Sequence, residues 1–271
     1  MDFEPNRVKG IIPKVFGGLG NQMFIISAAY CTAKTLKCPL YLPRNPNNYR
    51  NEHNTGINYY ETIFKGIGIH LNEPEEIILQ KLEGYESFNR YGFANWNPLM
   101  IFPGSVLDSY FQFYPALEPF EEILQTLFLQ NLPKVSVPEH TAFLHIRRGD
   151  YLTKSYCHYI QPFSYYKEAI DILTSKNKIN KIYVFSDDIE FIKSEDFFQQ
   201  DIFNIIDEKN ELISLALMSQ CNAGAICANS TFSWWGAFLG THKERNPVIV
   251  PKKWIAMEIE SIFPDEWIVL G

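Results

Sequence analysis

Thr141 to Tyr151 reads T-A-F-L-H-I-R-R-G-D-Y, an apolar run that ends in the imidazole of His145, the guanidiniums of Arg147 and Arg148 and the carboxylate of Asp150. A guanidinium presents a planar fork of donors that matches phosphate, so these arginines point to an anionic ligand. Strand alternation puts His145 and Arg147 on one face and Arg148 on the other. Arg147 is therefore expected to meet the ligand, and Arg148 to sit in an internal ion pair with Asp150, its nearest acidic neighbour. The plainer reading is a pair of surface arginines at a strand end, which the apolar run leading into them disfavours. The adhesion tripeptide Arg148-Gly149-Asp150 is set aside because a buried strand precedes it.

Three further segments carry chemistry. Gly17-Gly18-Leu19-Gly20-Asn21-Gln22 separates an apolar segment from a helical pattern. Glycines permit a tight turn there, and amides at a helix start can face a ligand. The segment does not match G-x-G-x-x-G, and no acid-terminated strand follows, so a nicotinamide cofactor is not expected. An ordinary turn and a ligand loop both remain open. Ile182 to Asp188 is a hydrophobic strand ending in Asp187 and Asp188, which suit a ribose or base, or a helix cap. Adjacent acids do not make a metal-binding D-x-D. Finally, Ser230, Thr231 and Ser233 cluster at a helix start before Trp234 and Trp235, offering hydroxyls and amides to phosphate or merely capping the helix. The sequon Asn229-Ser230-Thr231 is a poor acceptor at a strand-to-helix turn.

The elements that must position these groups alternate. Ile11–Phe16, Asn21–Lys37 and Pro39–Leu42 read as strand, helix and strand. Helices are expected over Glu75–Lys81 and Pro115–Leu129, after a long connection from Arg44 to Gly68. Strands at Thr141–Arg147, Lys181–Ser186, Ala223–Ala228 and Val248–Val250 then alternate with helices at Pro162–Leu173, Leu212–Gln220 and Phe232–Leu239. That order predicts an α/β fold with parallel, doubly wound sheets. The proline-flanked stretch Asn131–Pro138 predicts a division near residue 135, giving domains 1–135 and 136–271. No internal repeat is visible.

Composition narrows the function classes. With 271 residues, 46% of them hydrophobic, the chain buries a sizeable core. Its 24 Lys plus Arg against 31 Asp plus Glu give a net charge of -7, so no global basic field recruits nucleic acid or anionic lipid. Five cysteines without a C-x-x-C pair or zinc spacing predict a reduced chain. The start, with Asp2, Glu4 and Pro5, lacks a signal-peptide pattern, and no window has membrane-span length, so a cytoplasmic location is expected.

Together G-G-L-G-N-Q-M, H-I-R-R-G-D-Y, F-S-D-D and N-S-T-F-S-W-W-G resemble the α-1,2-fucosyltransferases of glycosyltransferase family 11, over about Val15 to Gly240. The resemblance implies a GT-B-type enzyme with two Rossmann-like domains. It would take GDP-L-fucose and form an α-1,2 bond to the 2-hydroxyl of a terminal galactose, inverting the anomeric centre without a metal or other cofactor. The C-terminal domain would hold GDP-fucose and the N-terminal domain the glycan acceptor. Arg147 would meet the β-phosphate, with His145 near the nucleotide and Arg148 and Asp150 in support. Ser230, Thr231 and Ser233 would bind the donor, Asp187 and Asp188 would lie beside it, and Asn21, with Gly18 and Gly20, would face the cleft between domains.

One departure concerns Ser214, where family members often carry an acid suited to guanine; Glu211 lies a turn earlier and is a substitute. The general base is open between Asp150, Glu61 and no base at all. Acceptor choice is assigned to the Arg44–Gly68 connection and to the aromatic stretch with Phe88, Tyr91, Phe93 and Trp96, which either stack on sugars or fill the core. The competing functions are a related transferase of different donor or linkage, and a non-catalytic glycan- or nucleotide-binding protein.

Overall fold

The computed structural model describes residues 10–44, 56–74, 77–78, 87–88, 96–153, 158–240, 247–255 and 262–271. Tyr91, Phe93 and most of the expected helix Glu75–Lys81 lie outside them. The chain folds as two compact units, Met1–Asn131 with Ser261–Pro264, and Leu132–Glu260 with Asp265–Gly271.

The first unit contains β1 (Ile12–Pro13), α1 (Leu19–Leu36), β2 (Tyr41–Arg44), β3 (Ile69–Pro74), β4 (Ser87–Phe88), β5 (Val106–Leu107) and α2 (Glu121–Leu129). Its strands form two parallel sheets, ordered β1-β5-β4 and β2-β3. Gly17, at φ +81°, turns the chain out of β1 into α1, a conformation that favours glycine. Gly18 is the extended N-cap of α1, and Gly20 is already inside the helix rather than in the loop. The chain leaves α1 through Lys37 in the left-handed region, whose amide bonds Ala33 and Lys34 carbonyls. The helix expected from Pro115 starts only at Glu121, because Pro115 and Pro119 lie in two successive 3-10 turns first. Trp96 is fully buried edge-on to Phe111, with ring centroids 5.5 Å apart, so it fills the core and does not stack on a sugar.

The second unit contains β6 (Thr141–Ile146), α3 (Phe163–Lys176), β7 (Lys181–Ser186), α4 (Ile189–Ser194), β8 (Phe203–Ile205), α5 (Glu211–Gln220), β9 (Ala225–Ile226), α6 (Thr231–Phe238), β10 (Val248–Pro251) and β11 (Ile268–Leu270). They build one parallel six-stranded sheet in the order β11-β10-β9-β6-β7-β8. Alternate side chains of β6 and β7 (Ala142, Leu144, Ile146, Ile182 and Val184) form a core with Tyr165, Ala169 and Leu173 of α3. On the other parity, His145 meets Phe232 of α6 at a ring distance of 5.9 Å. Helices therefore cover both faces, and every residue of β6 is buried.

The strand order has one functional consequence. The chain runs outward from β6 through β7 to β8, then returns to place β9, β10 and β11 on the opposite side of β6. Connections leaving the carboxyl ends of β6 and β9 thus diverge, which opens the crevice where parallel sheets bind ligands. Cys31, Cys38, Cys221 and Cys227 are free thiols, and burial pushes those of Cys31, Cys221 and Cys227 up. Among the described residues no helix is long and apolar enough to cross a membrane.

Candidate active site

The loops after β6 and β9 flank that crevice, and side chains tie them together. The Tyr151 hydroxyl, in the turn after β6, donates to the Asn229 carbonyl before α6 at 2.8 Å. Asn229 in turn donates its amide to the carbonyls of Tyr159 and Trp254, at 2.7 and 2.9 Å. These bonds bring His145, Arg147, Asp150, Asp187, Ser230 and Thr231 to one edge of one sheet.

Arg147 and Arg148 are held differently from the sequence expectation. Arg147 Nη2 lies 2.7 Å from Asp150 Oδ1 and its Nε 3.1 Å from Asp187 Oδ2. Arg148 Nε instead reaches Asp188 Oδ2 at 3.2 Å, and its guanidinium lies 3.7 Å above the Phe191 ring. The expected Arg148–Asp150 pair is therefore replaced by Arg147–Asp150. The reason is where the strand stops. β6 ends at Ile146 and a 3-10 turn begins at Asp150, so strand parity no longer governs the arginines and the i,i+3 neighbour of Asp150 is Arg147.

The acids after β7 divide their work. Asp188 caps α4, accepting the Phe191 amide at 3.2 Å while it pairs with Arg148. Asp187 accepts the Arg148 backbone amide on Oδ1 at 2.8 Å while Oδ2 takes the Arg147 Nε. One carboxylate thus fixes both the turn and the guanidinium.

His145 is 4% exposed, and its Nδ1 is buried without a hydrogen-bond partner. Burial pushes its pKa down to about 4; the Asp187 carboxylate opposes that shift and the Arg147 charge adds to it. The imidazole is neutral near pH 7, with a buried nitrogen able to serve a bound polar group.

At the start of α6, Ser230 is the N-cap and accepts the Phe232 amide at 3.4 Å. Thr231 is the first helical residue and is half-buried. Ser233 is fully buried, and its hydroxyl donates to the Ser230 carbonyl at 3.2 Å, so its task here is to lock the helix start. Trp234 and Trp235 are core residues, as packing alone would predict. Ser214 is buried in α5. Glu211 opens that helix, next to the Asn210 cap.

Asn21 and Glu61 belong to the first unit. Asn21 Oδ1 accepts from Gln112 Nε2 at 3.0 Å, beside the Gly17 turn, whereas Glu61 is exposed. Sequence reasoning missed Tyr151 and Asn229 as the links between loops, and Phe191 as the base under Arg148. Tyr151 directly follows the arginine motif and Asn229 opens the hydroxyl cluster, so adjacency was the available signal.

The family model described as Glycosyl transferase family 11 matches residues 119–271. An O-antigen biosynthesis glycosyltransferase, WbnK of Escherichia coli, is 28% identical over 299 aligned positions, covering 94% of this chain and 98% of the relative. An alpha-1,2-colitosyltransferase of Escherichia coli is 32% identical over 160 positions, covering 56% of this chain and 54% of the relative. Among solved structures, fucosyltransferase NodZ from Bradyrhizobium superposes with a TM-score of 0.51 at 11% identity, over 89% of this chain and 94% of that one. The parallel-sheet α/β fold is thus GT-B-like, and the match runs through the whole second unit with its arginine turn and α6 start. This chain belongs to glycosyl transferase family 11 and is a glycosyltransferase.

Proposed function

We propose that the protein transfers L-fucose from GDP-β-L-fucose to the 2-hydroxyl of a terminal galactose in a glycan, with inversion and without a metal. The observation that supports this most is Arg147, clamped by Asp150 and Asp187 at the carboxyl edge of β6, beside the α6 start. In a single displacement, negative charge gathers on the β-phosphate as the bond to fucose breaks. A guanidinium already oriented at that edge stabilises it without reorganising, which is the condition for large electrostatic catalysis. The Ser230 and Thr231 end of α6 adds backbone amides suited to phosphate.

In this reading the second unit holds the nucleotide sugar, with His145 beside it, and the first unit holds the acceptor. The family membership and the relative named for α-1,2 transfer of colitose support the linkage class. The test is to incubate the protein with GDP-fucose and lactose, with EDTA present, and look for the fucosylated product by mass spectrometry. Product formed despite the chelator supports both transfer and metal independence; donor binding without product would favour a non-catalytic binding protein.

A second donor reading follows from Ser214, which stands where an acid would suit guanine, and from the colitosyltransferase relative. A thermal-shift panel of GDP-fucose against GDP-mannose, UDP- and ADP-sugars discriminates, because a ligand that binds only the native state raises apparent stability.

A further inference from the structure

Positive charge is short at the arginine turn itself. Arg147 pairs with Asp150 and Asp187, and Arg148 with Asp188, so among these described side chains three carboxylates stand against two guanidiniums. A set with one carboxylate in excess repels an entering diphosphate unless other cations join it. The start of α6 contributes about half an elementary charge, too little to reverse that sign. The metal-free transfer proposed above, on which the following inference rests, therefore calls for a further cation at this edge of the second unit.

The turn after β10 carries one. β10 ends at Pro251 and pairs in parallel with β9, so Lys252, Lys253 and Trp254 leave at the same carboxyl edge as Asn229 and the α6 start. Asn229, buried directly before the Ser230 N-cap, donates from Nδ2 to the Trp254 carbonyl at 2.9 Å and to the Tyr159 carbonyl at 2.7 Å. Buried Gln161 donates to the Lys253 carbonyl at 2.7 Å. The backbone that carries Lys253 is thus fixed at two successive carbonyls, and the buried Trp254 anchors it. Lys252 is held differently: its amide donates to the Leu270 carbonyl of β11, on the side of β10 away from β9. Lys253 itself is exposed, with Nζ 4.7 Å from the centroid of the Tyr159 ring. That cation–π contact confines a stem that otherwise samples many rotamers. Among the described residues no carboxylate pairs with this ammonium. Asn229 bonds the residue under the ammonium and the residue after it, so a single buried amide ties Lys253 to the α6 start.

We infer that Lys253 binds the diphosphate of the donor, as a second cation in addition to Arg147. The two act differently. Arg147 is a rigid fork whose direction is set by two carboxylates, whereas a lysine meets phosphate as a compact point charge on a flexible stem. Negative charge on the leaving diphosphate is then shared between a fixed and an adaptable cation. Both stand on loops of one sheet edge, joined through Tyr151 and Asn229.

The test measures binding of GDP, guanosine and inorganic pyrophosphate to the full chain by calorimetry, with EDTA present so that no stray metal supplies the charge. Lys253→Gln, which keeps most of the stem, is expected to weaken GDP and pyrophosphate about tenfold each and guanosine less than about twofold, as loss of a charge-assisted hydrogen bond does. The salt dependence of GDP affinity should flatten in the same variant, because an exposed charge is screened by salt. Lys253→Arg, which restores the charge, should bind GDP within about threefold of wild type. Unchanged affinity for GDP and pyrophosphate in Lys253→Gln overturns the inference and leaves a solvated surface lysine, with the donor reading intact. Equal losses for GDP and guanosine also overturn it, since the substitution then acts on the base or the fold and not on the diphosphate. If wild type binds pyrophosphate but not GDP, the donor base fails while the pyrophosphate comparison still decides Lys253. If it binds neither, the donor reading and Lys253 fall together.

Discussion

Asp187 fills the space in front of Gly149. A Cβ built on Gly149 would stand 2.6 Å from Asp187 Oδ2 and 3.1 Å from its Cγ. Glycine is needed here for close approach, since its φ of -35° is open to any residue. Because Asp187 also accepts the Arg148 amide and pairs with Arg147, a methyl group at residue 149 pushes on the carboxylate that orients the site. Gly149→Ala should therefore lower kcat/KM on the order of 10²-fold, as misplacing a positioned group by about an ångström does. Urea unfolding of the same variant, expected to lose only about 1 kcal/mol, checks that the fold survives.

Arg147→Ala should nearly abolish transfer, because removing one preorganised donor to developing charge costs about 3 to 4 kcal/mol in the barrier. Arg147→Lys is the sharper test. Lysine keeps the charge but not the fork that reaches Asp150 and Asp187 from separate nitrogens, Nη2 and Nε. Activity of the lysine variant should stay closer to alanine than to wild type in initial-rate assays. Full activity with lysine would show that charge alone suffices.

Much of the second unit is legible in the sequence for a physical reason. β7 falls at Lys181–Ser186 as the apolar run predicts, and α6 within one residue, because both strands and helices there are buried enough to impose their period. The edge strands β8 and β11 are only partly buried over three residues each, and β4 and β5 have two residues each, so no pattern announces them. Strands at Ile11–Phe16 and Ala223–Ala228 shrink to two paired residues for the same reason: an apolar run outlasts the ladder it contributes to. The candidate residues stand out in the sequence because they adjoin strand ends. Their pairing does not, since Arg147 and Asp150 meet through a turn whose geometry follows from Asp187 and Gly149 across the sheet.

Ser233 tests the boundary between binding and folding. Its fully buried hydroxyl bonds the Ser230 carbonyl at 3.2 Å and approaches that of Ala228 at 3.4 Å. Ser233→Ala should cost about 1 kcal/mol of stability, the net worth of a typical buried hydrogen bond. Donor affinity, measured by calorimetry, should change by less than about threefold, or roughly 0.6 kcal/mol. A large loss of affinity at unchanged stability would return Ser233 to the donor site.

His145 gives the fold a defined acid sensitivity. Its folded-state pKa is pushed down to about 4 from the ordinary 6.5, chiefly by burial. As the pH falls from about 6.5 towards 4, the unfolded chain takes up a proton that the folded site refuses, so stability drops through that window and levels off below it. With about 1.4 kcal/mol for each pH unit separating the two states, the loss from this residue is about 3 kcal/mol. Urea unfolding of wild type and His145→Gln at pH 7.5 and near pH 4 isolates it, because the carboxylates titrate in both proteins. Wild type should lose about 3 kcal/mol more than the variant between those conditions. Parallel losses would mean that the folded protein lets His145 protonate normally, so that burial does not hold the imidazole facing α6 neutral.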